Sequence, residues 1–239
     1  MAQTRGETAL VTGGTGGLGS AVTRELLAGG WRVVVPWVHR QELRAHAAEG
    51  GGSGVEEHPR LELVEADLTD PSSAAGAVDR AGPSLRAVVN LVGGFAQGGR
   101  VHETPVEDFE AQLRLNLRPA YVVTAAALPA LLAAGTGAVV CVSSRAALRP
   151  FAGAAGYITA KAAVLAFVDA LDAEYRQDGI RANAIIPSTI DTPATRAANP
   201  DADHSRWVAP EDIARTIGYL CSEDSKATSG AHVPVYGRA

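Results

Sequence analysis

The chain has 239 residues, of which 46% are hydrophobic and 20% charged, and its formal net charge is −5. This balance is typical of a folded globular protein, and the slight negative charge argues against nucleic acid as a partner. We find neither a signal-peptide pattern nor a run of about 20 apolar residues, so we expect no membrane partner. The two cysteines, Cys141 and Cys221, favour a reducing, cytoplasmic location over a disulfide framework.

Strand-like and helix-like segments alternate along the chain. The predicted strands are Thr8–Thr12, Arg32–Trp37, Leu61–Ala66, Ala87–Val92, Val139–Ser143, Arg181–Ile186 and a short one near His232–Val235. The predicted helices are Ser20–Ala28, a polar stretch up to Glu49, one that begins at Asp70-Pro71, Val106–Leu132 with an interruption near Pro119, Tyr157–Tyr175, and about Pro210–Leu220. This alternation predicts one α/β domain over residues 1–239, with a parallel sheet covered by helices on both faces.

Glycines follow the first predicted strand, in the segment Leu10-Val11-Thr12-Gly13-Gly14-Thr15-Gly16-Gly17-Leu18-Gly19. Glycines at a strand-to-helix turn let the backbone approach a pyrophosphate, which then lies on the helix N-terminus. Two spacings fit: the dinucleotide pattern G-x-G-x-x-G through Gly14, Gly16 and Gly19, or Thr-Gly-x-x-x-Gly-x-Gly through Gly13, Gly17 and Gly19. A merely flexible loop is the alternative, but the strand before it and the helix after it favour nucleotide binding.

Three polar residues in the second half of the chain form a candidate acid/base group. Tyr157 and Lys161 stand four residues apart in a helix-forming stretch, so the phenol and the ammonium share one face. A nearby ammonium favours the phenolate, and we therefore expect Lys161 to lower the pKa of Tyr157 toward the working range. Ser144 ends an apolar run, where its hydroxyl can bond the substrate oxygen. Surface helices also produce such Tyr/Lys pairs by chance, and the glycine motif is what gives this pair weight.

These motifs, in this order, resemble those of the classical short-chain dehydrogenase/reductase family over nearly the whole chain. The resemblance implies a Rossmann-type doubly wound parallel sheet and an NAD(P)-dependent enzyme that interconverts a ketone or aldehyde and an alcohol by hydride transfer. It implies the catalytic set Asn116, Ser144, Tyr157 and Lys161, with Tyr157 as general acid/base and Asn116 ordering a water chain. The cofactor-binding residues it implies are Thr12, Gly13, Thr15, Gly17, Leu18, Gly19, Asp67, Leu68, Asn90, Gly93, Tyr157, Lys161, Pro187, Thr189 and Thr192.

Two segments depart from the usual family pattern. The chain has Asn90-Leu91-Val92-Gly93 where Asn-Asn-Ala-Gly is usual, and Ser188 replaces the glycine of Pro-Gly-x-x-x-Thr. The second predicted strand ends in Trp37 instead of the acidic residue that would bind a ribose 2′-hydroxyl. His39 and Arg40 follow and can attract a 2′-phosphate, although a solvated basic loop is the alternative. We therefore favour NADP(H) as the cofactor, with NAD(H) possible.

The substrate is less legible. The segment at about 188–208 is predicted to form a short lid over the site, and it is similar to the corresponding stretch of dihydropteridine reductases. Candidate substrate-binding residues are Phe95, Ser144, Arg145, Phe151 and Trp207, each of which could equally serve packing. Phe151 suggests an apolar wall, and Arg145 could hold an acidic substituent.

Other functions stay open alongside reduction of a small-molecule carbonyl compound. A dihydropteridine reductase-like enzyme fits the lid, but Ser144 and the absence of an acidic residue at Trp37 weaken that transfer. A nucleotide-binding regulator without turnover is opposed by the complete catalytic set. A dehydratase or epimerase of the extended fold usually needs a longer C-terminal domain than the residues after Trp207 provide.

Assembly and metal binding are the last expectations. The stretch from Ala160 to Leu171 is rich in alanine and carries few charges, so its second face suggests a partner surface. Family members commonly pair through this helix and the one before it, which implies a homotetramer or a homodimer. The six histidines have no ligand-like spacing, and we expect no metal.

Overall fold

The computed structural model describes residues 6–38 and 58–238. Within these ranges the strands are β1 (Thr8–Thr12), β2 (Arg32–Trp37), β3 (Leu61–Glu65), β4 (Leu85–Asn90), β5 (Gly137–Val142), β6 (Ile180–Pro187) and β7 (His232–Val235). The α-helices are α1 (Gly17–Ala28), α2 (Pro71–Ala81), α3 (Val106–Asn116), α4 (Arg118–Ala134), α5 (Ala155–Tyr175), α6 (Pro193–Ala198) and α7 (Pro210–Cys221). The polar helix predicted up to Glu49 lies outside the described residues.

The strands form one parallel sheet in the order β3-β2-β1-β4-β5-β6-β7. From β1 the chain winds outward to β3, returns to β4 beside β1, and then winds in the opposite direction to β7. This confirms the predicted doubly wound Rossmann-type sheet. Because the winding reverses between β1 and β4, a crevice opens beyond their carboxyl ends, which is where ligands bind in folds of this type.

Two apolar cores cover the two faces of the sheet. Alternate strand residues, such as Leu10 and Val88, pack with α2, α4 and α5 on one face. Their neighbours Val11 and Val89 pack with α1 and α7 on the other. Since the central strands are buried on both faces, they read in the sequence as continuous apolar runs instead of alternating ones.

Several element boundaries differ from the predictions by a few residues. Strand β4 ends at Asn90, not Val92, because the Thr12 hydroxyl accepts hydrogen bonds from the Leu91 and Val92 amides and so ends the ladder. The long predicted helix divides at Leu117, and Pro119 lies in the first turn of α4, where a missing N–H costs nothing. Helix α6 was not predicted. Thr192 caps it by accepting a hydrogen bond from the Thr195 amide.

The stretch Val106–Ala134 is long and apolar enough to cross a membrane by length and composition alone. The expectation that no stretch of the chain is long and apolar enough to span a membrane was therefore wrong. The stretch is two helices in the fold, and α4 places Val123, Ala127 and Leu131 in the core, each fully buried. Packing against the sheet accounts for its apolar character.

Candidate active site

The glycine loop after β1 is shaped by close backbone approaches. Gly13 has φ +66°, and a Cβ there would lie 3.2 Å from the Val92 amide nitrogen. A Cβ on Gly19 would lie 1.9 Å from the Gly13 carbonyl oxygen, a distance that no side chain can occupy. Helix α1 begins here with Gly16 as its N-cap and no side-chain cap. Its first amides therefore remain available to an anion, as a dinucleotide pyrophosphate would require.

Thr12 and Asn90 make hydrogen bonds at the carboxyl ends of β1 and β4. The Thr12 hydroxyl accepts hydrogen bonds from the Leu91 amide at 3.1 Å and the Val92 amide at 3.4 Å, which fixes β1 to the loop after β4. Asn90 donates to the Thr124 hydroxyl at 3.0 Å. Its Oδ1 is buried and has no partner among the described residues. Thr12 thus holds the backbone of the loop after β4, and Asn90 ties the end of β4 to α4.

Gly93 brings two of the expected catalytic side chains together. A Cβ on Gly93 would lie 2.6 Å from Asn116 Oδ1 and 3.0 Å from Lys161 Nζ, so both groups approach the Gly93 backbone where a larger residue would exclude them. Asn116 is 2% exposed and ends α3. Its amide accepts from the Gly94 nitrogen at 3.1 Å and donates to the Gly94 carbonyl at 3.0 Å and the Gln112 carbonyl at 3.1 Å. The loop after β4 is therefore tied to the end of α3.

Lys161 is a buried cation with no carboxylate partner among the described residues. Its ammonium donates to the Val142 carbonyl at 3.1 Å, and its own carbonyl accepts from the Ser143 hydroxyl at 2.6 Å. Burial lowers the pKa of Lys161 to about 8, with a small opposing effect from Cys141. A lysine in this state can release or take up a proton near neutral pH.

Tyr157 differs from the expectation in its electrostatics. Burial raises the pKa of Tyr157, and a hydrogen bond with Ser144 opposes that rise. Lys161 Nζ lies 5.9 Å from the centre of the Tyr157 ring. The prediction that Lys161 lowers the pKa of this phenol is therefore wrong, because burial raises the pKa and the effect that opposes burial comes from Ser144. The Tyr157–Ser144 contact itself brings two of the candidate catalytic residues together.

The adenine side of the crevice is described only in part. Asp67 follows β3 and is exposed, and its carboxylate accepts from the Thr69 amide at 2.8 Å and hydroxyl at 2.7 Å. These bonds lower the pKa of Asp67. Leu68 beside it is buried. Trp37 ends β2, whereas His39 and Arg40 lie outside the described residues.

The segment after β6 contacts the start of α1, next to the glycine loop. Pro187 ends β6, and Val208 donates back to the Thr189 carbonyl at 3.0 Å, which ties the two ends of the segment 188–208 together. A Cβ on Gly17 would lie 2.9 Å from Thr192 Cγ2. This segment therefore touches α1 where a pyrophosphate would lie. Thr15 and Leu18, the other expected loop contacts, are buried and partly buried respectively.

The expected substrate-binding residues fall into two groups. Phe95 packs edge-to-face on the Tyr157 ring at 5.1 Å between centroids and also contacts Phe151 at 6.2 Å. Both phenylalanines are largely exposed, at 58% and 46%. Arg145 and Trp207 lie instead near the C-terminal strand. The first group forms an exposed aromatic wall next to the phenol.

Several contributors to this site were not predicted. Gly94, Gln112, Val142 and Ser143 hold Asn116 and Lys161 through the bonds described above. Tyr236, which follows β7, contacts Arg145. Gly94 and Ser143 are sequence neighbours of the predicted site residues Gly93 and Ser144, and this position could have marked them as part of the site. The roles of Val142 and Gln112 rest on main-chain carbonyls, which leave no trace in residue type.

Comparison with known proteins gives the family. A family model described as short chain dehydrogenase matches residues 7–203. A 2-(R)-hydroxypropyl-CoM dehydrogenase of Xanthobacter autotrophicus and an acetoacetyl-CoA reductase of Allochromatium vinosum are each 30% identical over 241 residues, which cover 96% of this chain and 96% of theirs. A solved structure of a candidate NAD(P)-dependent gluconate 5-dehydrogenase from Beutenbergia cavernae, with NADP at low occupancy, is 27% identical over 98% of this chain and 96% of that chain, with a TM-score of 0.83.

The chain therefore belongs to the short-chain dehydrogenase family. It is an oxidoreductase of the kind that binds NAD(P) and acts on small molecules.

Proposed function

We propose that the protein is an NADP(H)-dependent carbonyl reductase that interconverts a ketone or aldehyde and an alcohol. The observation that carries this proposal is the approach of Ser144 to Tyr157, close enough to lower the pKa of the phenol, with the buried Lys161 one helical turn from the tyrosine. The pair lies beyond β5, next to the crevice that the glycine loop borders. The cofactor, when bound, supplies or accepts the hydride.

In this proposal Ser144 and Tyr157 both act on the substrate oxygen, one as a hydrogen-bond donor and the other as the general acid/base. Ser144 donates a hydrogen bond to the carbonyl oxygen, where negative charge develops in the transition state. Tyr157 gives its proton to the forming alkoxide, or takes one from an alcohol in the reverse direction. The Ser144 hydrogen bond already opposes the burial that raises the pKa of Tyr157, and so favours the phenolate that this step leaves.

Lys161 and Asn116 return the proton to Tyr157. The Lys161 ammonium, with its pKa near 8, can release a proton at the pH at which the phenolate must be neutralised. Asn116 Oδ1 and Lys161 Nζ both lie close to the Gly93 backbone. This closeness supports a short path for protons between the Asn116 amide and the Lys161 ammonium. Lys161 would also hold the nicotinamide ribose through its remaining donors.

The preference for NADP(H) rests on the end of β2. Trp37 offers no carboxylate to a ribose 2′-hydroxyl and nothing that repels a 2′-phosphate. His39 and Arg40, two and three residues further on, supply basic groups for that phosphate. NAD(H) is the alternative cofactor.

We further propose that residues 1–239 act as a single cytoplasmic domain in a homodimer or homotetramer, with 188–208 as the substrate lid. The free cysteines Cys141 and Cys221 are both buried, as suits a reducing compartment. A groove of about 1010 Å³ lies between α3, α4 and α5, and the exposed Tyr121 borders it. A second copy that presents the same helices would cover this groove.

The replacement of Tyr157 by phenylalanine tests the chemistry. Tyr157→Phe removes one hydroxyl and keeps the ring on Phe95, so we expect turnover to fall by about 10²–10⁴-fold with melting temperature and cofactor affinity retained. The assay follows loss of the reduced cofactor with a panel of ketones and aldehydes, using NADPH and NADH in parallel. Tyr219→Phe, a partly exposed tyrosine on α7, is the matched control. Near-normal turnover in Tyr157→Phe would remove the proposed acid/base role, and equal affinity for the two cofactors would remove the NADP(H) preference.

The same assay separates the proposal from a dihydropteridine reductase-like function. Reduction of a quinonoid pterin does not need a hydroxyl on a ketone oxygen, so Ser144→Ala would leave it unchanged. A ketone reduction should lose roughly 2.7–4 kcal/mol of transition-state stabilisation with that donor. Strong pterin turnover that is indifferent to Ser144→Ala would favour the pteridine enzyme, and no turnover of either class would favour a nucleotide-binding regulator.

A further inference from the structure

Arg145 is a partly buried cation beside the proposed reaction centre. It follows Ser144 directly and begins a short turn in which its carbonyl accepts from the Leu148 amide at 3.0 Å and the Arg149 amide at 2.9 Å. Its side chain packs over the Tyr236 ring, with the guanidinium carbon 5.1 Å from the ring centroid. The Tyr236 face orients the planar group but leaves its N–H donors free to bond oxygen.

No described carboxylate pairs with this guanidinium. Among the charged residues of the lid, Asp191 is held by Arg196 through two hydrogen bonds of 2.5 and 2.7 Å, and Asp203 accepts from the Ser205 amide at 3.0 Å. The described ion pairs elsewhere do not include Arg145. A guanidinium that is partly removed from water without an anion has lost hydration that a bound anion could replace.

The position of Tyr236 sets Arg145 at the base of the lid. The Tyr236 carbonyl accepts from the Ser188 hydroxyl at 2.8 Å, and Ser188 begins the lid segment. A Cβ on the next residue, Gly237, would lie 3.3 Å from the Trp207 carbonyl, at the other end of that segment. Arg145 thus follows Ser144 directly in the chain, and its guanidinium lies on the residue that adjoins both ends of the lid.

We propose that Arg145 selects substrates that carry an anionic oxygen group, such as a carboxylate, together with an apolar body. This inference rests on the proposed function, since it names the substrate class of the same site. The aromatic wall of Phe95 and Phe151 beside Tyr157 takes the apolar body. The guanidinium of Arg145, held on the Tyr236 ring, takes the anion through charge-assisted hydrogen bonds, which a neutral analogue cannot form.

Binding of a matched, unreactive pair tests the anion site without relying on catalysis. Protein saturated with NADP⁺ is titrated calorimetrically with 4-phenylbutanoate and with the neutral 4-phenylbutanamide. We expect the carboxylate to bind about tenfold or more tightly, the effect of a charge-assisted hydrogen bond. Arg145→Met should bring the ratio of the two affinities close to one, and Arg145→Lys should keep part of it. Arg149→Met is the matched control, because Arg149 is exposed in the same turn and its side chain makes no described bond.

Turnover of a reactive pair distinguishes failure of this inference from failure of the proposed function. For 4-oxo-4-phenylbutanoate and its amide, the ratio of kcat/KM should favour the carboxylate, mainly through KM, and should collapse in Arg145→Met. Equal binding of acid and amide by the wild type, or a preference that survives Arg145→Met, would overturn the anion site while leaving carbonyl reduction intact. A binding preference lost in Arg145→Met, without turnover of any carbonyl compound, would support the anion site and reject the proposed reaction.

Discussion

At the scale of one residue, the buried ammonium of Lys161 lowers the stability of the fold, but its lowered pKa suits proton transfer. Its ammonium is 6% exposed, and its one hydrogen bond to a described group is to the Val142 carbonyl. Below about pH 8 the folded and unfolded chains both hold the proton, and the full cost of burying the charge is present. Between the folded pKa of about 8 and the ordinary value of 10.5 the unfolded chain binds the extra proton, so stability from this residue rises with pH.

Lys161→Met should remove this pH dependence. From pH 7 to 9.5 the wild-type free energy of unfolding should improve relative to that of Lys161→Met by roughly 2 kcal/mol, at about 1.36 kcal/mol for each pKa unit. The measurement is urea unfolding of the cofactor-free protein at both pH values. Lys226→Met, at the exposed lysine after α7, serves as the control and should track the wild type. A constant difference between wild type and Lys161→Met across this range would show that the ammonium is not desolvated.

The sequence pattern was enough to propose the residues of the candidate site, but it did not give their electrostatics. The spacing of Ser144, Tyr157 and Lys161 reflects one strand end and one helical turn, which local sequence determines. The pKa of Tyr157 instead depends on how much of the fold covers the ring, and residues distant in sequence, such as Phe95, pack against it. For the same reason, the sequence could not predict that the Asn116 and Lys161 side chains both approach Gly93, because the three residues are far apart in the chain.

At the scale of elements, the turn between β1 and α1 has the least room for change. Gly19→Ala would place a Cβ 1.9 Å from the Gly13 carbonyl oxygen, so the backbone of the loop must move. Overpacking in protein cores typically costs about 1–3 kcal/mol, and we expect a loss of stability of that size. We also expect cofactor affinity to fall at least tenfold. Thermal unfolding and cofactor titration measure the two effects.

The matched control for this substitution is Gly76→Ala in the middle of α2. A Cβ there meets no atom within 4 Å, and alanine is the better helix former. Gly76→Ala should therefore stabilise the protein by about 0.5–1 kcal/mol and leave cofactor affinity unchanged. Equal effects of the two substitutions would contradict the steric account of the glycine loop.

Element types followed from the sequence more reliably than element ends. The buried strands were evident because both faces of the sheet are covered, which leaves continuous apolar runs. Their ends depend on single side chains elsewhere, as Thr12 shows when it withdraws Leu91 and Val92 from the β4 ladder. Helix α6 depends on a cap from Thr192 and spans six residues, too few for a periodic signal.

At the scale of the whole molecule, the groove between α3, α4 and α5 should be an interface between subunits. Tyr121 and Phe167 pack together there at 5.8 Å between ring centroids, and Tyr121 is 59% exposed. If a second copy covers this groove, Phe167→Glu would bury a charge between the subunits, so the mass in solution should fall to that of the monomer or of a smaller assembly. Light scattering at micromolar concentration measures it.

Tyr219→Glu, a comparable change on α7 outside this groove, should leave the mass unchanged. A wild-type protein that is strictly monomeric under these conditions would refute the proposed assembly.

The contact between Gly17 and Thr192 has a consequence for how the protein is made. The two residues are far apart in the sequence, yet a methyl group added to Gly17 would meet the Thr192 side chain at 2.9 Å. A nascent chain can form β1 and the glycine loop before Thr192 has been synthesised. Long-range contacts of this kind form late and slowly. The glycine loop and the segment that packs beside it are therefore joined only after most of the chain has been synthesised.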